Sequence, residues 1–133
     1  METTHSQDHT LFFDVRDYEC DMQGIVNNAV YQNYLEHARH QFIKSRGLDF
    51  ADITAQGIHL VLIKAETHYK RPLKSGDRFY VTTKTEKLSR FKLLFQQNIY
   101  REDDTLMLES QMTTASINPE GRPIVFADLD KLL

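Results

Sequence analysis

The chain is poor in the features that mark several large protein classes. It has one cysteine, Cys20, in 133 residues. No disulfide can form within it, so a reducing compartment, the cytoplasm, is the expected setting. It has no basic excess: 16 Lys and Arg stand against 19 Asp and Glu, a net charge of −3. The two signs are interspersed, whereas a nucleic-acid binder usually carries a basic stripe. No run approaches the roughly 20 apolar residues of a membrane span. The polar start, Met1 to His9, lacks the apolar stretch of a secretory signal. Only three prolines and five glycines occur, and no linker, repeat or low-complexity segment divides the chain. Residues 1–133 are therefore expected to form a single domain. An open sheet of this size would gain from a partner subunit.

What the chain does have is clear periodicity. Leu11, Phe13 and Val15 alternate with Phe12, Asp14 and Arg16, which predicts a strand over Thr10 to Tyr18. Gly24 marks a turn within Asp21 to Asn27. Tyr31, Tyr34, Leu35, Ala38 and Phe42 then recur at helical spacing and predict a helix from about Asn28 to Arg46. Asn27 or Asn28 can cap its start, Lys44 and Arg46 suit its last turn, and Gly47 fits the position just beyond it. Asp49 to Gln56 reads as a short second helix. Four long strands follow, over Ile58 to Arg71, Arg78 to Leu88, Phe91 to Arg101 and Leu106 to Asn118, and Pro123 to Leu133 forms a tail. Short connections imply antiparallel neighbours. The order predicts an α+β fold in which one long helix and a curved antiparallel five-stranded sheet bury each other's apolar faces.

One segment carries the chemistry. Tyr18-Glu19-Cys20-Asp21-Met22-Gln23-Gly24-Ile25-Val26-Asn27-Asn28 sets a carboxylate in front of a glycine turn and then starts a helix. A base beside the exposed N–H groups of a helix N-terminus is what acyl transfer requires. No Ser-His-Asp or Cys-His constellation accompanies it. Cys20 has no histidine spaced to activate it and reads as a packed thiol. Tyr18 reads as a packed aromatic, and Asp17 and Glu19 as solvated or paired. His37 and His40 lack the intervening Glu of a His-Glu-x-x-His zinc helix, because Glu36 precedes both. Neither metal nor bound cofactor is expected.

The pattern Tyr18-Glu-Cys-Asp21-x-x-Gly24-x-Val26-x-Asn28-x-x-Tyr31, followed by Tyr34, Glu36, Ala38 and Arg39, resembles the acyl-CoA thioesterases of the hot-dog fold. The branch it resembles is that of the 4-hydroxybenzoyl-CoA thioesterase and YbgC proteins. Tyr69-Lys70-Arg71-Pro72-Leu73-x-x-Gly76-Asp77 adds a weaker likeness. The resemblance implies a hot-dog fold and a homodimer whose two sheets join edge to edge, often paired further into a homotetramer. The active sites would lie at the dimer interface. It makes Asp21 the catalytic aspartate and the Asn28 backbone N–H the donor that polarises the thioester carbonyl. Several YbgC-type proteins have His at the Asn28 position; a backbone donor survives that difference. The resemblance also implies that basic residues near Ser89 and Arg90 meet the nucleotide of coenzyme A, which enters only as part of the substrate.

Asp21 can serve as general base toward water or attack directly, and the residues leave that choice open. Arg71, with Lys70 and Lys74, is a further candidate for the phosphates. His59 and Leu60 are expected to line the acyl pocket from the other subunit. The helix face around Tyr31, Tyr34 and Leu35 is expected to set its depth. The leading expectation is an acyl-CoA thioesterase. An acyl-ACP thioesterase and a non-catalytic acyl-CoA-binding module are the alternatives. A hot-dog dehydratase would pair its acid with a histidine, which the motif does not supply.

Overall fold

A computed structural model of the chain describes residues 9–133. The polar stretch 1–8, most of the segment expected not to be a secretory signal, lies outside the described residues. The elements run β1 (His9–Asp14), α1 (Asn28–Ser45), α2 (Phe50–Ala55), β2 (His59–Tyr69), β3 (Arg78–Lys87), β4 (Lys92–Arg101) and β5 (Leu106–Ile117). A 3-10 turn over Asp17–Glu19 follows β1, and a second, Ala127–Leu132, closes the chain. No described helix is long and apolar enough to cross a membrane.

The five strands form one antiparallel sheet in the order β1-β3-β4-β5-β2. Alternation places Phe79 and Val81 of β3, Leu93, Phe95 and Ile99 of β4, and Leu108 and Met112 of β5 on the inner side, all buried. The helix α1 lies against that side through Tyr31, Tyr34, Leu35, Ala38, Phe42 and Ile43. Phe126, Leu129 and Leu132 of the C-terminal segment complete the same core. The strands β1 and β2 are the sheet's edges. Most of β2 is exposed, including Leu62, Ile63 and Tyr69.

Two local expectations are corrected. The first strand stops at Asp14 instead of running to Tyr18. Val15 turns away to pair with the loop before β3, its N–H donating to Asp77 O at 2.9 Å. Tyr18 is 78% exposed, not packed: within a 3-10 turn its side chain no longer follows the alternation of a strand.

Candidate active site

The candidate site is built on the loop that joins the 3-10 turn to α1. Cys20 and Val26 form an isolated antiparallel bridge, so residues 21–25 close on themselves as a tight loop. Asp21 N–H donates to Ile25 O at 2.9 Å, and Gly24 N–H donates to Asp21 O at 3.0 Å. Gly24 has φ of +79°, a left-handed conformation that L side chains resist and glycine accepts. The Asp21 side chain completes the loop. Its Oδ1 accepts the N–H of Gln23 at 2.8 Å and that of Ile25 at 3.4 Å, an Asx turn. Asp21 is exposed, and its Oδ2 has no partner among the described residues.

The loop delivers the chain to the helix with a defined set of donors. Asn27, in extended conformation at φ −66° and ψ 140°, is the N-cap, and its Oδ1 accepts Ala29 N–H at 3.0 Å. Asn27's own N–H donates to Glu19 O, and Val30 N–H donates to Asn27 O. Asn28, the first helical residue, is different: its N–H donates to nothing among the described residues. A free amide therefore stands at the positive end of an 18-residue helix.

Tyr31 lies one turn into α1. Its hydroxyl accepts the N–H of Leu73 at 2.9 Å, which ties the helix to the loop between β2 and β3. Burial raises the Tyr31 pKa, so the hydroxyl stays protonated. Val26 N–H donates to Leu73 O at 2.9 Å and pins the same loop from the other side. Asn28, Tyr31, Tyr69 and Arg71 line a cleft of about 150 Å³ at this corner. Arg71 and Lys74 are exposed there, and Lys70 is paired with Glu109 at 3.3 Å.

The other expected substrate contacts lie elsewhere on the chain. His59 pairs with Ile117 at the start of β2, and Lys92, which follows the Ser89–Arg90 turn, pairs with Ala115. His59, Leu60, Ser89 and Arg90 therefore share one end of the sheet. Tyr69, Arg71 and the Asn28 amide share the opposite end, about 33 Å away along β2. Within one chain the candidates form two separate groups. Arg90 stacks over Phe91 at 5.6 Å, and Ser89 Oγ accepts Phe91 N–H at 3.1 Å.

The neighbouring reactive side chains are accounted for. The Cys20 thiol is half-buried, and desolvation together with the charges of Asp17, Asp21 and Glu19 pushes its pKa up, away from thiolate. His37 packs on Phe13 and His40 on Phe50, so the two imidazoles serve different contacts.

Two polar clusters were not singled out in the sequence. Glu19 is buried; its Oε1 accepts the Tyr34 hydroxyl at 2.8 Å and the Arg16 N–H at 2.9 Å. Arg39 Nη1 donates to Oε1 of the fully buried Gln97 at 2.9 Å. The signal for the second cluster was present: Gln97 falls in phase with Leu93, Phe95 and Ile99 on the inner side of β4. No such signal exists for Glu19, whose burial depends on a tyrosine 15 positions away.

Comparison with known proteins adds a lineage. Residues 15–129 match the family model described as the thioesterase-like superfamily. The chain is 35% identical over 116 residues to the acyl-acyl carrier protein thioesterase ATL2 of Arabidopsis thaliana, a match covering 86% of this chain and 62% of that protein. The chain thus spans less than two thirds of that plant relative. It is 26% identical over 113 residues to the acyl-CoA thioester hydrolase YbgC of Escherichia coli, covering 83% of this chain and 84% of that protein. A crystal structure of a hypothetical protein from Aquifex aeolicus superposes with a TM-score of 0.87 at 30% identity, covering 94% and 99% of the two chains.

Proposed function

The chain belongs to the thioesterase-like superfamily of hot-dog proteins, and from that premise we propose that it hydrolyses an acyl-CoA thioester to the free acid and coenzyme A. The observation that carries this reading is the free Asn28 N–H, held at a helix N-terminus one short loop from an exposed, oriented carboxylate. In the proposed reaction water adds to the thioester carbonyl carbon, and Asp21 takes its proton on Oδ2. The developing oxyanion is bound by Asn28 N–H, a contribution of about 3 kcal/mol to barrier lowering for a single good donor. The C–S bond then breaks, and the departing thiolate is stable enough to need no strong general acid. Direct attack by Oδ2 would give a mixed anhydride instead. When water opens that anhydride at the Asp21 carboxyl carbon, a single turnover in ¹⁸O-water leaves enzyme-derived oxygen in the product and ¹⁸O in Asp21. Trapping the anhydride with hydroxylamine detects it whichever carbon water attacks.

Asp21→Asn tests the assignment with little confounding. The asparagine Oδ1 can still accept the Gln23 and Ile25 amides, so the loop keeps its shape while the base is lost. We expect kcat for acyl-CoA hydrolysis to fall by about 10²-fold or more, with the melting temperature nearly unchanged. Full activity in the variant would refute the mechanism.

A second reading changes only the carrier. Arg71 and Lys74 are exposed beside the cleft, and an acidic acyl carrier protein would meet such a surface favourably. The plant relative's description points the same way. Hydrolysis of one acyl group presented on both carriers ranks the two.

The proposal includes a homodimer. The edge strand β2 is long and exposes Leu62, Ile63 and Tyr69. An edge of this kind invites pairing with another strand. Antiparallel pairing of β2 with its copy lays the start of one strand beside the end of the other. The two half-sites, separated within each chain, would then meet.

A further inference from the structure

Beside the start of β2 lies a second cleft, of about 110 Å³, between the middle of α1 and the inner side of the sheet. Ile43, Phe50, Leu60, Leu62 and Phe95 give it apolar walls. Glu36, Arg39, His40 and Thr114 also line it, with His40 packed on Phe50 and the Thr114 hydroxyl donating to Leu93 O. One cation faces this surface. Arg39 lies about 16 Å further along α1 than Asn28, and its guanidinium is fixed in place. Nη1 donates to Gln97 Oε1, and Gln97 is itself held, its Nε2 donating to Leu35 O at 3.0 Å and to Thr83 Oγ1 at 3.1 Å. Both Nε2 donors of Gln97 are spent on this anchoring. The Nε and Nη2 groups of Arg39 have no hydrogen-bond or ion-pair partner among the described residues.

We infer that Arg39 is a specificity-determining residue, and that the cleft takes an acyl group that is apolar except for one neutral oxygen acceptor, which accepts from the guanidinium. This rests on the thioesterase reading and adds the substrate class. Three facts support it. A partly desolvated guanidinium with unused N–H groups gains from an acceptor and loses when an alkane fills the space beside it. Burial disfavours the charged form of Arg39, so the group has lost hydration that a ligand oxygen can replace. Glu36 lines the same cleft and already opposes the Arg39 charge. A second carboxylate there would meet like charge, which favours a ketone or hydroxyl oxygen over an acid.

The placement agrees with the dimer proposed above. Leu60 and Leu62 belong to the β2 end that would pair beside the partner's catalytic corner. The acyl group would then enter from a thioester held at one subunit's Asn28 and be graded by the other subunit's Arg39.

The test uses S-alkyl coenzyme A thioethers of one fixed chain length. One is plain, and the others carry a single keto oxygen walked along the chain. Binding is measured by calorimetry for wild type, Arg39→Met and Arg39→Lys, each first shown folded by thermal melting. In wild type at least one ketone isomer should bind about tenfold or more tighter than the plain thioether. That ratio should fall to about one in Arg39→Met. In Arg39→Lys, which keeps the charge and stem but not the fork, most of it should be lost. If no ketone isomer outbinds the plain thioether, or if both variants keep the ratio, the inference is overturned. Because the thioethers cannot be cleaved, this outcome is independent of turnover. A protein that discriminates as expected but hydrolyses no acyl thioester would refute the thioesterase reading and leave the Arg39 assignment standing.

Discussion

At the scale of single residues, the Asn28 amide allows an unusually clean experiment. Proline removes a backbone donor, but in a helix interior it also breaks a hydrogen bond and clashes with the preceding turn. Asn28 occupies the first helical position, where proline is well tolerated and no intrahelical bond is lost. The preceding residue, Asn27, already has the extended conformation that a following proline demands. Asn28→Pro should therefore delete one N–H and little else. If that N–H holds the oxyanion, kcat should fall by about 10²–10³-fold, with helix content and melting temperature retained. Asn28→Ala keeps the N–H and should lose far less. Equal losses in the two variants would place the role in the side chain instead. The carboxylate, glycine turn and helix start were legible in the sequence because they lie in one short segment. Capping rules left Asn27 and Asn28 open, the donor role of Asn28 came from the family resemblance, and the structure makes Asn27 the cap.

At the scale of elements, legibility depended on whether a residue's environment was local. The long strands and α1 follow their periodicity, because alternating burial leaves a pattern that needs no knowledge of the partner. The chain between β1 and α1 does not. Asp17-Tyr18-Glu19-Cys20 alternates polar and apolar residues as a strand does, yet the backbone turns through a 3-10 segment. What decides the matter is Glu19. Its carboxylate is buried against the Tyr34 hydroxyl, and its carbonyl accepts the Asn27 N–H. This carboxylate thus ties the first turn of the site to the second turn of α1. Tyr34→Phe removes one donor and leaves a buried carboxylate oxygen with only the Arg16 N–H. The expected cost is about 1–3 kcal/mol of stability in urea unfolding. A loss below a few tenths of a kcal/mol would mean that water replaces the hydroxyl at no cost. Gln97 differs from Glu19: its phase with Leu93, Phe95 and Ile99 marks a core position in the sequence, but that it is held there against Arg39 of α1 depends on a contact 58 positions apart.

At the scale of the whole molecule, the question is why the expected site residues fall into two groups. Asn28, Tyr31 and Arg71 stand at one end of the sheet; His59, Leu60, Ser89 and Arg90 stand at the other. No motion of a packed antiparallel sheet brings its ends together, so within one chain the two groups stay at opposite ends. A two-fold axis near the middle of β2 would bring them together, because it exchanges the ends. This makes a prediction that binding constants alone would not test. Asp21→Asn disables one half-site, and Leu60→Arg blocks the other by placing a charge in the apolar cleft. Each homodimer then has two damaged sites and should be nearly inactive. After mixing and subunit exchange, each heterodimer contains one site carrying both substitutions and one carrying neither. Random pairing makes about half of the dimers heterodimers, so activity should return to about a quarter of the wild-type level. Recovery should track the heterodimer fraction measured by native mass spectrometry. If the mixture stays inactive while heterodimers form, both halves act within one chain, and the shared-site arrangement is wrong.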